Sequence, residues 1–176
     1  MRKIAHFRDV DLLELSRALL EDGKSVRFQA KGRSMHPFIQ DGDIITVSPV
    51  ENSSINIGDV VLYSPAEDTL IVHRVINKYT EDNNLTMLIK GDASFGSPES
   101  VNSQRVLGKI VSIERNGRER KLDTSLYRII GLFLAAISPF RRWTSSIGGK
   151  AKYRGHRLLA FAKYQSIKWT NNLKKG

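Results

Sequence analysis

A serine, a histidine and an aspartate follow one another in this chain, and each sits in a distinctive local stretch. They are Gly32-Arg33-Ser34-Met35-His36-Pro37, Val72-His73-Arg74-Val75-Ile76 and Lys90-Gly91-Asp92-Ala93. The chemistry such a set could do is nucleophilic acyl transfer. A serine hydroxyl attacks a carbonyl only once a base takes its proton, and the base works best when a third group orients it. An imidazole with an ordinary pKa near 6.5 accepts that proton at neutral pH, which an ordinary lysine does not. Ser34 is thus the candidate nucleophile, His73 the candidate base and Asp92 the candidate orienting group. Each has a plainer alternative: an exposed loop serine, a core histidine, a turn-capping aspartate after glycine. Lys90 is a rival base, and His36 is assigned no role. The spacings, 39 and then 19 residues, mean that only a folded domain can bring the three together.

The elements that must do so are short. Residues 7–22 place Val10, Leu12, Leu13, Leu15, Ala18, Leu19 and Leu20 at helical spacing, and Asp22-Gly23 ends the run. The period then changes. Residues 26–30, 44–47, 60–63, 70–75, 85–90 and 106–115 read as strands, punctuated by Asp41-Gly42-Asp43, Gly58-Asp59, 81–84 and Asn116-Gly117. Asn-Gly suits a type I′ turn, which predicts a hairpin of 111–115 with 118–122. Alternation puts His73 and Val75 on one sheet face and Arg74 on the other, in a structural role. The expected fold class is mainly β: a compact antiparallel sheet or half-barrel with an N-terminal helix and C-terminal helices. The expected division is 1–25 helical, 26–123 the β catalytic unit, and 124–176 an apolar helix with a basic tail.

These boxes resemble the signal peptidase I superfamily of serine peptidases, which includes the LexA-like self-cleaving repressors. Ser34-Met35-x-Pro37 with Asp41-Gly42-Asp43 resembles the nucleophile box. Ile57-Gly58-Asp59-Val60-Val61-Leu62-Tyr63 resembles the strand that leads to the base. His73 stands where many members carry lysine, so the resemblance is closest to the Ser-His branch of signal peptidases, and Lys90-Gly91-Asp92 resembles that branch's KGD box. It covers roughly residues 26–122. It implies a serine endopeptidase acting on leader- or signal-type peptides with small residues near the cut. Backbone N–H groups around Ser34 would form the oxyanion hole, because Gly32 lacks the hydroxyl some members place there. Two other readings stay open: a LexA-like self-cleaving regulator, and a non-catalytic membrane adaptor that retains the fold.

Composition narrows the rest. There is no cysteine, so disulfides and thiolate chemistry are excluded, and the four histidines lack zinc-site spacing. No metal or organic cofactor is expected. The net charge of +10 is segregated: residues 141–176 hold ten Lys and Arg and no acid, while 1–140 balance to zero. The apolar run 126–137 is shorter than the roughly 20 residues a spanning helix needs, so a core helix, a re-entrant segment and an interfacial helix all fit. Beyond it, Tyr153, Leu158, Leu159, Phe161, Tyr164, Ile167 and Trp169 alternate with Lys and Arg, as in an interfacial membrane helix. The expected partners are a peptide substrate and a membrane surface, with nucleic acid the weaker reading of the same charge. Charges interrupt the N-terminus before any apolar run, so no cleavable signal peptide is expected. The predicted location is membrane-associated, peripheral or monotopic, and cytoplasmic if the tail does not insert.

Overall fold

The computed structural model describes residues 9–66, 69–81, 83–122 and 124–137. Helix α1 (Asp9–Glu21) falls within the predicted 7–22. Leu12, Leu13, Ser16 and Leu20 lie on its buried face, each at most 4 % exposed. Burying such leucines stabilises by roughly 1.5–3 kcal/mol apiece, which docks the helix on the sheet. The helix stops at Gly23, whose φ of +73° suits glycine. The Gly23 and Lys24 N–H groups turn back to donate to the Leu20 and Leu19 carbonyls at 3.1 and 2.8 Å.

Eight strands follow among the described residues: β1 (Val26–Gln29), β2 (Ile44–Ser48), β3 (Val60–Tyr63), β4 (Ile71–Glu81), β5 (Asn84–Lys90), β6 (Glu99–Asn102), β7 (Val106–Arg115) and β8 (Arg118–Lys121). They form one sheet in the order β1-β2-β7-β3-β4-β5-β6, with β8 paired to β7. Every pairing is antiparallel. The mainly-β expectation is borne out. So is the Asn-Gly hairpin: Asn116 and Gly117 have φ of 52° and 74°, and Arg115 pairs with Arg118.

Two elements differ from the sequence reading. β4 runs on to Glu81, well past residue 75, because β5 pairs with it along its whole length. A register shift between Val75 and Asn77 breaks the alternation there, which hides the extension in the sequence. β6 was not expected at all. Its four residues, Glu99-Ser100-Val101-Asn102, carry a single buried apolar side chain, and the pairing with β5 supplies the order.

β3 is buried on both faces, and its alternation feeds two cores. Val60 and Leu62 join the cluster built on α1, β1, β2 and β7. Val61 and Tyr63 join Val75, Met87, Ile89 and Val101 on the opposite face.

Helix α2 (Ser125–Ile137) closes the described chain. Gly131 lies on the Gly58 turn so closely that a Cβ on Gly58 would meet the Gly131 carbonyl carbon at 2.8 Å. Tyr127 sets its ring edge against Phe38, with centroids 6.2 Å apart. The other side of α2 is unpartnered: Leu126, Ile129, Leu132 and Phe133 are each more than half exposed. Among the described residues no helix is long and apolar enough to cross a membrane. The basic tail and its expected amphipathic helix lie outside the described residues.

Candidate active site

The Ser34 loop connects β1 to β2 and is tied from beneath. Met35 and Ile39 are buried at 4 %, and the Ile39 N–H donates to the Met35 carbonyl at 3.0 Å, so one apolar turn anchors the loop. Gly32, at φ +95°, turns its N–H to Asp41 Oδ1 at 2.8 Å. Asp43 Oδ2 accepts from the Gln40 N–H at 2.7 Å. The Asp43 carboxylate is in turn forked by Arg115, whose Nε and Nη2 reach it at 2.8 and 2.7 Å. The Asp-Gly-Asp box therefore shapes the loop, and its acids are spent on that task.

Ser34 is half-buried, and its carbonyl accepts the Ala93 N–H at 2.8 Å. That bond joins the Ser34 loop to the turn after β5. Gly91, in the same turn, shows how closely three pieces meet. A Cβ built on it would lie 2.7 Å from the Ser34 carbonyl oxygen, 2.9 Å from His73 Nε2 and 2.5 Å from Ser94 Oγ. Glycine is required here by the approach of neighbours. The Ser34 backbone and the His73 ring, which are 39 residues apart in sequence, thus meet at one small space. No hydrogen bond joins them: Nε2 is buried and has no partner among the described residues. Catalytic hydrogen bonds are often unmade until substrate is present.

His73 sits on β4 directly opposite Val61 of β3. It points to the same face as Tyr63, two residues on, within reach as a diagonal cross-strand pair. The Tyr63 hydroxyl lies 3.3 Å from His73 Nδ1 and donates to Glu99 Oε2 at 2.7 Å. Desolvation lowers the His73 pKa to about 4, so the ring is neutral at physiological pH. Tyr63 is pushed the other way, chiefly by burial and then by its bond to Glu99, and keeps its proton.

Asp92 is placed differently from the expectation. Its carboxylate is forked by Arg74, with Nε to Oδ1 and Nη2 to Oδ2 both at 2.7 Å. Both side chains are at most 3 % exposed. Arg74 also donates from Nη1 to the Gly58 carbonyl at 2.7 Å and lies 4.4 Å over the Phe38 ring. Arg74 is on the sheet face away from His73, and Asp92 turns to that face to balance its charge. Among the described residues, the hydrogen-bond neighbour of the His73 ring is Tyr63. The structural role expected for Arg74 holds. Lys90, the rival base, is 3 % exposed on β5 opposite Arg74.

Tyr63, Glu99, Gly91 and Ser94 were not singled out from the sequence as site residues. Tyr63 could have been found from register, two positions beyond the residue that faces His73. Glu99 could not, because the strand that carries it has no apolar pattern. Among the described residues no three acidic or histidine side chains converge as metal ligands would.

A family profile described as Peptidase S24-like matches residues 3–111. The chain belongs to the Peptidase S24-like family. The S24-like span takes in Ser34, Tyr63, His73, Gly91, Asp92 and Glu99, so the whole of the cluster described above lies within it. It also bears out the superfamily that the Ser34, His73 and Asp92 boxes resemble. A search of curated proteins finds no match. For an S24-like chain the coarse reading is a peptidase-type or self-cleaving-repressor-type fold.

Proposed function

We propose that this protein is a serine endopeptidase in which Ser34 is the nucleophile and His73 the general base. The observation that carries the reading is the convergence of the Ser34 loop and His73 Nε2 on Gly91, with Nε2 buried and free of hydrogen bonds. Ser34 Oγ attacks the scissile carbonyl as Nε2 takes its proton, then Nε2 returns the proton to the leaving amine. Water activated by the same imidazole hydrolyses the acyl-enzyme. Backbone N–H groups around Ser34 hold the oxyanion, a contribution worth about 10²–10³ in rate per donor in other enzymes. Asp92 acts at one remove: it fixes Arg74, the neighbour of His73 on β4. By resemblance to signal peptidases, the substrate is a leader- or signal-type peptide with small residues near the cut.

The test is mass spectrometry of a diverse peptide pool, and of the protein itself, after incubation in mild detergent. Ser34→Ala and His73→Ala should each lower cleavage by roughly 10⁴–10⁶-fold. Cleavage that survives Ser34→Ala would overturn the serine mechanism. A cut found only within this chain would identify a self-cleaving protein instead. The same assay has a defined acid limb. The base must be neutral, and the His73 pKa is about 4, so activity should fall as pH drops through about 4 and not through 6.5. Stability is linked in the same direction. The unfolded state binds the proton first, so the contribution of a neutral His73 is full above pH 6.5 and is lost as pH falls towards 4.

We further propose that α2 seats the enzyme on a membrane surface. Its exposed Leu126, Ile129, Leu132 and Phe133 immediately precede the residues that carry all of the excess positive charge. Anionic lipid attracts such a segment by about 1 kcal/mol per Lys or Arg near the surface. The full chain should co-sediment with vesicles rich in phosphatidylserine and release with salt. Ile129→Glu with Phe133→Glu should abolish binding, and unchanged binding would reject α2 as the seat.

A further inference from the structure

The hydroxyl of Tyr63 has one proton to give, and Glu99 takes it. A carboxylate only accepts, so at the 2.7 Å contact with Oε2 the tyrosine must be the donor. Its oxygen is left with lone pairs alone to offer His73 Nδ1 at 3.3 Å. A neutral imidazole carries its proton on one nitrogen and a lone pair on the other. A lone pair on Nδ1 would face the lone pairs of Tyr63, whereas a proton on Nδ1 makes a hydrogen bond. We infer that Tyr63 and Glu99 fix the tautomer of His73, holding its proton on Nδ1 and leaving Nε2 bare as the acceptor.

The placement of Nε2 leaves that choice to Nδ1. It is the ring atom nearest a Cβ built on Gly91, and it has no hydrogen-bond partner among the described residues. Nε2 is unpartnered in either tautomer, so the Nδ1 end alone sets the choice. The pair does a second thing when Nε2 gains a proton. The imidazolium keeps donating from Nδ1 to the tyrosine oxygen, and the carboxylate behind that oxygen offsets the new positive charge through one intervening hydroxyl. Tyr63 and Glu99 are positioning residues, since neither reaches the space at Gly91. The tautomer stands on geometry alone; its meaning for cleavage rests on the proposed Ser34–His73 reaction.

The experiment is long-range ¹H–¹⁵N correlation on the full chain labelled with ¹⁵N-histidine at pH 7, with His73→Gln used to assign the ring. The wild type should show a protonated Nδ1 and a bare Nε2. Glu99→Leu is the informative variant, because Glu99 is exposed and lies on the end strand of the sheet. With its acceptor gone, the Tyr63 proton turns to Nδ1, and His73 should switch to the Nε2–H form. Tyr63→Phe should leave the two tautomers mixed. A wild-type ring protonated on Nε2, or spectra unchanged in both variants, would overturn the inference. In the peptide assay, Glu99→Leu should lower kcat by tenfold or more with little change in KM. If the tautomer switches as stated while Ser34→Ala leaves cleavage intact, the inference holds and the serine mechanism alone falls.

Discussion

Arg74→Met should cost about 3–5 kcal/mol of folding stability, the range seen when one member of a buried ion pair is removed. Few single substitutions do so much, and the reason is what the guanidinium holds. It is 1 % exposed, forks Asp92, caps the Gly58 carbonyl and lies on Phe38. Methionine can fill most of the volume and keep contact with the phenyl ring, but it removes the guanidinium that forks the buried Asp92 carboxylate. The loss should appear as a lower urea midpoint with an unchanged m-value. The double variant Arg74→Met with Asp92→Leu should recover most of the stability, since replacing both partners by apolar groups is often close to neutral. A loss below about 1 kcal/mol for Arg74→Met would mean that water already reaches the pair.

Gly91→Ala should produce the reverse profile, with activity hit harder than stability. The added methyl would sit 2.9 Å from His73 Nε2 and 2.7 Å from the Ser34 carbonyl oxygen, both well inside normal contact. The carbonyl cannot yield easily, because it is held by the Ala93 N–H. The imidazole must rotate or the two loops must part. A displacement near 1 Å in a reacting geometry costs about 100-fold in rate, and overpacking of this kind destabilises by about 1–3 kcal/mol. Peptide cleavage should therefore fall by at least 100-fold in a protein that still folds. Gly96→Ala is the control, since nothing lies within 4 Å of its added carbon and its backbone does not need glycine. Equal effects at both positions would mean that the close approach at Gly91 does not matter.

The parts legible in the sequence were those that local chemistry decides. Asn116-Gly117 specifies its turn. Leucines at helical spacing specify α1. The alternation from Val72 to Val75 separates His73 from Arg74, one to each face. Ser34 and His73 stood out as a pair of reactive types in their boxes, and the fold brings the Ser34 loop to the His73 strand. Asp92 stood out in its box, but its partner did not. Its partner depends on which face the chain turns to after β5, and Arg74 on that face outbids a neutral ring for a carboxylate. Tyr63 and Glu99 were illegible for a related reason. Their relation to His73 exists only through the registers of β3 on β4 and β5 on β6, and no residue in 99–102 announces a strand.

The position of β7 sets an order in time. Ser34 hangs from the β1–β2 pair, and His73 belongs to the ribbon from β3 to β6. Within the sheet those two groups touch only through β7, which pairs with β2 on one side and β3 on the other. As the chain leaves the ribosome, every residue of the cluster has been made before Val106, the first residue of β7, is added. Until β7 inserts between its two neighbours, the serine and the histidine ride on separate fragments of an unfinished sheet. A chain interrupted before residue 106 therefore carries all of the chemistry without the strand that joins the two parts of its sheet.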